Sequence, residues 1–315
     1  MKTILATKHA VASHVLLLVG CFLLVSAASS APAVAQTYTT IDYPGAPNSF
    51  ATDINDSGQI VGEYTFVGLG DRQGYLLSNG VFTSISYPGA TFTRAVAINA
   101  NGDIVGDHNQ SGNNSGSGND YGYLLRGGLF TSIVFPNSDS TVPTGINANG
   151  DIVGWYLDNT GTHGFLLRGG VYTSIDFPGS GAFTEVWKIN DYGEIAGRYR
   201  SSTDSNYHLF VLNNRTFASV PDVPGSVQTA PGNFSEDGGL NNAGAIAGHY
   251  TSSKNCKLFT SAGCLHAFLL SGGAYTTIDY AGAVETLAFG LNNLNQVVGG
   301  YEDSSGRFHG YMRTP

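Results

Sequence analysis

The stretch Ile54–Gly62 reads Ile-Asn-Asp-Ser-Gly-Gln-Ile-Val-Gly, and close copies of it recur along the chain. The six copies are Ile54–Gly62, Ile98–Gly106, Ile146–Gly154, Ile189–Gly197, Leu240–Gly248 and Leu291–Gly299. Their shared asparagine returns after 44, 48, 43, 51 and 51 residues. A repeat of about 45 residues is typical of the blades of a β-propeller.

Each copy belongs to a longer unit that predicts four short strands, because β-branched and aromatic residues alternate between Gly, Asn and Pro. Strand A ends at the Ile-Asn, strand B carries Ile-Val-Gly-x-Tyr, strand C carries Gly-Phe-Leu-Leu, and strand D carries Phe-Thr-Ser-Ile. In the Asn-x-x-Gly link between A and B, the asparagine side chain can bond the backbone two residues on. The six asparagines are therefore predicted to be structural.

The two ends of the repeat region complement each other. Tyr38–Ile41 reads as a lone D strand, whereas the chain stops just after a C strand at Tyr311–Arg313. Pairing these ends would complete the sixth blade and remove an open sheet edge. The sequence thus predicts an all-β fold: a closed six-bladed β-propeller of four-stranded blades, 24 strands in all, and not an open solenoid.

The units resemble the extracellular HAF repeats, which are named for a His-Ala-Phe tripeptide. That tripeptide is intact at His266–Phe268 and has variants at His163–Phe165, His208–Phe210 and His309–Tyr311. The resemblance covers nearly all of residues 38–315 and implies an exported bacterial protein with a propeller fold, without a specific activity. The histidine is missing at Gln73 and Tyr121, which argues against an indispensable role for it.

Residues 1–35 predict a signal peptide that precedes a repeat domain over 36–315. Lys2 and Lys8 are followed by the apolar run Val15–Ala27, and Ala33-Val34-Ala35 provides a cleavage site before Gln36. Thirteen apolar residues are too few for a transmembrane helix, which needs about 20. Leu18–Cys21 resembles a lipoprotein box, but the apolar run continues past Cys21, so lipid anchoring is the less favoured alternative. We expect a secreted or periplasmic protein without a transmembrane span in its mature form.

The composition narrows the classes of function. The 315 residues include 43 Gly, 17 Tyr and 17 Phe but only 12% charged residues, a composition typical of a turn-dense β protein. Without residues 1–35 the formal net charge is −11, because two of the 14 basic residues and none of the 23 acidic ones precede Gln36. An acidic chain disfavours nucleic acid as a partner. Cys256 and Cys264 predict one disulfide bond in an exported chain, since His266 is the one further metal ligand near them.

Two positions that vary between the units supply the candidate ligand-binding residues. The residues before the strand-B aromatic are Glu63, Asp107, Trp155, Arg198, His249 and Gly300, and those before the strand-A Ile or Leu are Asp53, Ala97, Gly145, Lys188, Gly239 and Gly290. Because the first set spans every chemical class, we expect its side chains to face solvent or the central channel. Trp187 and Lys188 lie opposite Asp53 in another blade and could form one polar pocket with it, the alternative being an ordinary solvated surface.

The sequence contains no catalytic motif, and no catalytic residue, cofactor or metal is assigned. The four repeat histidines lie around a ring, so packing or hydrogen bonding is favoured over a shared metal. The loops Asp158–Gly161 and Glu302–Gly306 could hold calcium weakly, although solvated turns are favoured because carboxylates are few.

These observations predict a monomeric, non-enzymatic interaction module. Its ligand would be a glycan or a protein bound by the variable B–C and D–A loops, with stacking on Trp155 or Trp187. The alternative is a hydrolase or lyase that uses Asp53, Glu63 and Asp107 at the channel mouth.

Overall fold

The computed structural model describes residues 36–66, 72–109, 120–181, 183–203, 206–229, 238–252 and 264–315. The predicted signal peptide with Cys21 lies outside the described residues. Cys256 does too, so its disulfide bond with the buried Cys264 stays a prediction. Gln36–Pro315 forms one compact unit. Within the described ranges, no helix is long and apolar enough to cross a membrane.

Twenty-five strands in the described residues form six antiparallel sheets. Blade one contains β2 (Asn48–Ile54), β3 (Ile60–Thr65), β4 (Arg72–Ser78) and β5 (Val81–Ile85). Blade two contains β6 (Phe92–Ile98), β7 (Ile104–Asn109), β8 (Tyr121–Arg126) and β9 (Leu129–Ile133). Blade three contains β10 (Ser140–Ile146), β11 (Ile152–Asp158), β12 (Gly161–Arg168) and β13 (Val171–Ile175).

The remaining strands complete the ring. Blade four contains β14 (Thr184–Ile189), β15 (Ile195–Arg200), β16 (Tyr207–Asn213) and β17 (Thr216–Ser219). Blade five contains β18 (Gln228–Thr229), β19 (Gly239–Leu240), β20 (Ile246–Thr251), β21 (Leu265–Ser271) and β22 (Ala274–Ile278). Blade six contains β23 (Glu285–Leu291), β24 (Val297–Glu302), β25 (Phe308–Thr314) and β1 (Thr37–Ile41).

The closure predicted from the two chain ends is confirmed. Strand β1 pairs antiparallel with β25, from Thr37 opposite Thr314 to Ile41 opposite Gly310, so the N-terminal strand is the outer strand of the last blade. One detail differs from the predicted 24 strands. The inner strand of blade five is described as two short pieces, β18 and β19, separated by residues 230–237, which lie outside the described part.

The repeated Ile-Val-Gly reflects close packing beside a bulge in the inner strand. In blade one the pairing of β2 with β3 shifts register between Ala51 and Asp53. A Cβ atom on Gly62 would stand 2.0 Å from the carbonyl oxygen of Phe50, and the Tyr75 hydroxyl donates to that same oxygen at 3.0 Å. Only glycine fits there. A matching register shift occurs in blades two, three, four and six, where it redirects the end of the inner strand.

Candidate functional site

A closed ring of six asparagines lies at the A–B turns, around one end of the central channel. Each side-chain Nδ2 donates to the backbone carbonyl of the asparagine in the next blade: Asn55 to Asn99 (3.0 Å), Asn99 to Asn147 (3.0 Å), Asn147 to Asn190 (3.2 Å), Asn190 to Asn241 (3.2 Å), Asn241 to Asn292 (3.2 Å) and Asn292 to Asn55 (3.2 Å). Each Oδ1 accepts from the backbone two and four residues on, as Asn55 does from Ser57 (3.1 Å) and Gln59 (3.0 Å). The predicted structural role of these asparagines is confirmed.

Replacement of Asn147 by alanine should lower the free energy of unfolding by about 2–4 kcal/mol. The variant leaves the buried Asn190 carbonyl and the amides of Asn149 and Asp151 without the partners that Asn147 gives them. Urea unfolding measures the loss. The control is Asn149→Ala, which removes an exposed side chain whose amide donates to the Asp191 carbonyl at 3.4 Å. Equal losses in the two variants would contradict a special role for the ring.

An ion pair crosses the channel between opposite blades. Lys188 Nζ of blade four lies 3.1 Å from Asp53 Oδ2 of blade one, and both residues are buried. The backbone N–H of Ile98 also donates to Asp53 Oδ2, at 3.2 Å. Burial raises the pKa of Asp53, and the Lys188 charge opposes that rise. Of the polar pocket hypothesised for Trp187, Lys188 and Asp53, the contact between Lys188 and Asp53 is present.

The cavity around this pair is small. It measures about 80 Å³ and is lined by Asp53, Lys188 and the asparagine turns. Sites for small ligands usually measure about 300–1,000 Å³, so this space suits a few water molecules better than a sugar. Trp187 takes no part in it, because its side chain is 1% exposed and packs with Leu240 and Phe268 between blades four and five.

The variable strand-B side chains were expected to face solvent or the central channel, and the first of these alternatives is wrong. All six residues of this set are buried, and the five that carry side chains have an exposure of 7% or less: Glu63, Asp107, Trp155, Arg198 and His249. A buried charge is tolerated when an opposite charge neutralises it, and neighbouring strands supply such partners here. The three charged members of the set, Glu63, Asp107 and Arg198, are therefore compensated within their own blades.

The compensating ion pairs are local to blades one, two and four. Arg72 pairs with Glu63. Arg94 Nε lies 2.9 Å from Asp107 Oδ1, and these two residues stand directly opposite each other on β6 and β7. The pair Glu185 and Arg198 repeats that arrangement on β14 and β15, at 2.5 Å.

Burial also removes the aromatic surface expected for stacking. Trp155 is 7% exposed, and the Trp187 ring lies 5.6 Å from the Arg198 guanidinium. Burial, followed by the charge of Arg198, lowers the pKa of His249 to about 3, so this histidine is neutral at physiological pH. Ligand contact by these side chains would require the blades to part, and their assignment as binding residues stays a prediction.

The three carboxylates named for the hydrolase alternative are all held by basic side chains. Asp53 is paired with Lys188, Glu63 with Arg72, and Asp107 with Arg94. Burial raises the pKa of Asp107 to about 6, even though Arg94 opposes the rise. The three carboxylates are buried and do not form an open acid–base pair.

The four repeat histidines each contact an aspartate, a repeated pair that sequence reasoning missed. The pairs are His163 with Asp176 (2.6 Å), His208 with Asp222 (3.2 Å), His266 with Asp279 (3.0 Å) and His309 with Asp42 (2.9 Å). Each histidine ring also lies 5.0–5.6 Å from a strand-B tyrosine. The predicted packing or hydrogen-bonding role is confirmed. In the described residues, no group of three or more His, Cys, Asp or Glu side chains gathers as a metal site.

A sequence signal for these pairs was present. The aspartate follows strand D in the units that carry the histidine. In the two units where Gln73 and Tyr121 replace the histidine, Ser86 and Val134 stand after strand D instead. The Ser86 hydroxyl donates to Gln73 Oε1 at 2.6 Å, so an uncharged contact replaces the charged one.

A larger cavity, the rim groove, lies between the outer strands of blades three and four. Its volume is about 790 Å³, within the range of sites for small ligands. Val171 on β13 is 64% exposed, and Tyr192 in the A–B turn of blade four is 78% exposed. Arg168, Asp176 and Arg215 add charged groups to the lining. Sequence reasoning missed this groove, because Tyr192 occupies a variable position within a turn motif.

Known structures share this fold at very low sequence identity. A TolB-like protein from Agrobacterium tumefaciens superimposes with a TM-score of 0.54 at 14% identity, covering 85% of this chain and 91% of that one. A gluconolactonase from Xanthomonas campestris has a TM-score of 0.51 at 10% identity, with 89% of each chain covered. A subtype N11 neuraminidase-like protein of A/flat-faced bat/Peru/033/2010 (H18N11) has a TM-score of 0.51 at 10% identity, covering 88% of this chain and 93% of that one.

At these identities the likeness shows the propeller fold alone. No family model and no curated protein matches the chain.

Proposed function

We propose that this chain is an exported propeller of the HAF-repeat type that binds a glycan in the rim groove between blades three and four. The observation that carries this proposal is the groove itself, a cavity of about 790 Å³ with the exposed ring of Tyr192 in its lining. A tyrosine ring gives a sugar a large apolar surface at little cost in conformational entropy. The signal-peptide pattern and the repeat signature support export.

The lining of the groove suits a sugar better than a purely apolar ligand. Arg168 and Arg215 carry hydrogen-bond donors, Asp176 carries acceptors, and Val171 offers an apolar contact. Arg168 is held in place by Asp151, with Nη2 2.9 Å from Oδ2. A side chain already fixed by such a bond loses little entropy when a ligand binds.

The rim groove is favoured over the sites that the sequence suggested. The axial cavity is about a tenth of its volume, and both tryptophans expected to stack on the ligand are buried. Much of the variable loop face, including residues 110–119 and 253–263, lies outside the described residues. No observation favours the hydrolase alternative, since its candidate carboxylates are held in buried ion pairs.

Replacement of Tyr192 by alanine should weaken glycan binding about 5- to 10-fold, equivalent to about 1–1.4 kcal/mol of lost stacking. A glycan array probed with residues 36–315 identifies the ligand, and calorimetry then measures the affinity. The matched control is Leu294→Ala, because Leu294 occupies the same turn position in blade six and is 58% exposed. Both variants should melt like the wild type. Unchanged affinity in Tyr192→Ala, or an equal loss in both variants, would contradict binding in the rim groove.

A further inference from the structure

The turn between strands C and D of blade four carries an arginine where the equivalent turns carry glycine. In blades one to five, two residues join strand C to strand D, and the second of them has a positive φ. This second residue is Gly80, Gly128, Gly170 and Gly273 in blades one, two, three and five, and Arg215 in blade four, with a φ of 68°. Two-residue hairpin turns need positive φ values, which glycine adopts without steric cost.

Arginine is an unfavourable residue at such a position. The other non-glycine residues with a positive φ, in the part of the chain that the structure describes, are all asparagines: Asn79, Asn137, Asn214 and Asn295. Asparagine tolerates this region better than most side chains, whereas the Cβ of an arginine comes too close to the backbone carbonyl. Strained residues of this kind cluster at ligand-binding and active sites, so the strain at Arg215 indicates a function for its side chain.

Arg215 lines the rim groove, and its charge is not used there by the protein. Of the three charged residues of the lining, Arg168 is bound to Asp151, and Asp176 Oδ1 lies 2.6 Å from His163 Nδ1. The side chain of Arg215 is exposed and has no ion pair or hydrogen bond within the described ranges. The groove therefore presents one guanidinium whose donors are available to a ligand.

We infer that the ligand of the rim groove is an acidic glycan and that a sugar carboxylate binds Arg215. This inference rests on the glycan binding proposed above and adds the chemical class of the sugar, a uronate. The planar guanidinium fits a carboxylate through two parallel hydrogen bonds. Tyr192 and Arg215 both come from blade four, so one blade supplies the aromatic surface for the sugar ring and the positive charge for its carboxylate.

The test is calorimetry of residues 36–315 with short oligosaccharides of galacturonate, glucuronate and mannuronate, each compared with its carboxyl-reduced form. Reduction converts the carboxylate to a neutral hydroxymethyl group and leaves the sugar rings unchanged, so the comparison isolates the charge. At about 150 mM salt, which screens the net charge of the chain, the best uronate ligand should bind about 3- to 10-fold more tightly than its reduced form. Arg215→Gly should lose this preference and keep the affinity for the reduced form.

The variants separate recognition from folding. Arg215→Gly restores the residue of the equivalent turns, so it should fold and melt a few degrees above wild type. Arg215→Lys keeps the charge without the planar pair of donors, and its preference should fall to an intermediate value. The control is Arg307→Gln, which removes an exposed arginine outside the groove and should leave the preference unchanged.

Three results would overturn this inference. They are uronate oligosaccharides that never bind more tightly than their reduced forms, a preference that survives Arg215→Gly, and tighter binding of a sulfated dextran oligosaccharide than of any uronate. Tyr192→Ala distinguishes these failures from failure of the proposed function, because it should weaken both forms of the sugar by the same factor. If both forms depend on Tyr192 and Arg215→Gly changes nothing, glycan binding stands and the acidic class is wrong. If neither form depends on Tyr192, the proposed function itself is wrong.

Discussion

Deletion of Thr37–Asp42 is expected to lower the free energy of unfolding by about 4–6 kcal/mol, a large part of the 5–15 kcal/mol typical of a folded domain. The deletion removes β1, whose five residues all pair with β25. It also removes Ile41, whose side chain is 5% exposed. The burial of that side chain alone contributes about 2 kcal/mol to the free energy of unfolding. His309 loses its aspartate partner Asp42. Urea unfolding of the shortened chain measures the loss.

A permuted chain provides the control. Thr37 lies opposite Thr314, so a two-residue turn of the kind found between strands C and D could attach residues 37–42 after Pro315. This permutant should regain most of the lost stability, because β25 recovers its partner. A deletion variant with an unchanged single transition would contradict closure of the ring by β1. In an open solenoid, the loss of one end strand costs only local contacts.

Replacement of Lys188 by methionine should cost about 3–5 kcal/mol, because it leaves Asp53 buried without its counter-charge. The double variant Asp53→Asn/Lys188→Met should recover most of this loss, since it leaves neither charge buried. Urea unfolding of both single variants and of the double variant gives the coupling energy. Additive losses would show that the two side chains do not act as a pair.

The Lys188→Met variant should also depend on pH with a definite sign. Burial already raises the pKa of Asp53 in the wild type, and the lysine opposes that rise. Without the lysine, folded Asp53 holds its proton more strongly than the unfolded chain does. The folded state therefore binds more protons, and the stability of the variant should fall as pH rises from the unfolded pKa of Asp53 through its raised folded value. A variant equally unstable at pH 4.5 and pH 7.5 would contradict this account.

The fold could be predicted from the sequence because its turn and strand motifs recur in every repeat. Five copies of Asn-x-x-Gly, and a sixth with Asn295 in place of the glycine, placed the A–B turns, and the lone strand before Asp42 indicated how the last blade is completed. The meeting of Asp53 with Lys188 followed from counting blades, since repeats one and four face each other across a six-membered ring.

The burial of the variable strand-B residues could not be predicted from the repeats in the same way. An alignment of the repeats compares equivalent positions in different blades. It places Asp107 in the same column as Arg198, and this variation in chemical class suggested that the side chains at that position are exposed to solvent. The informative comparison runs between paired strands: Arg94 stands opposite Asp107, and Glu185 stands opposite Arg198. Each pair sums to zero charge. The rim groove was also missed, since it depends on the space between two blades, which no repeat pattern encodes.

The six asparagines form a closed circuit of hydrogen bonds that all run in the same direction around the ring. Each side-chain amide donates to the backbone carbonyl of the asparagine in the next blade, and the bond from Asn292 to Asn55 closes the circuit, so it has no first or last member. A helix frays from its ends because its terminal groups lack partners, but this circuit has no such terminus. Opening it between any two blades breaks one bond from a side-chain amide to a buried carbonyl, although that carbonyl keeps the bond from its own turn, as Asn190 does from Gly193. Amide hydrogen exchange at the six turns should therefore proceed at one common rate set by global unfolding.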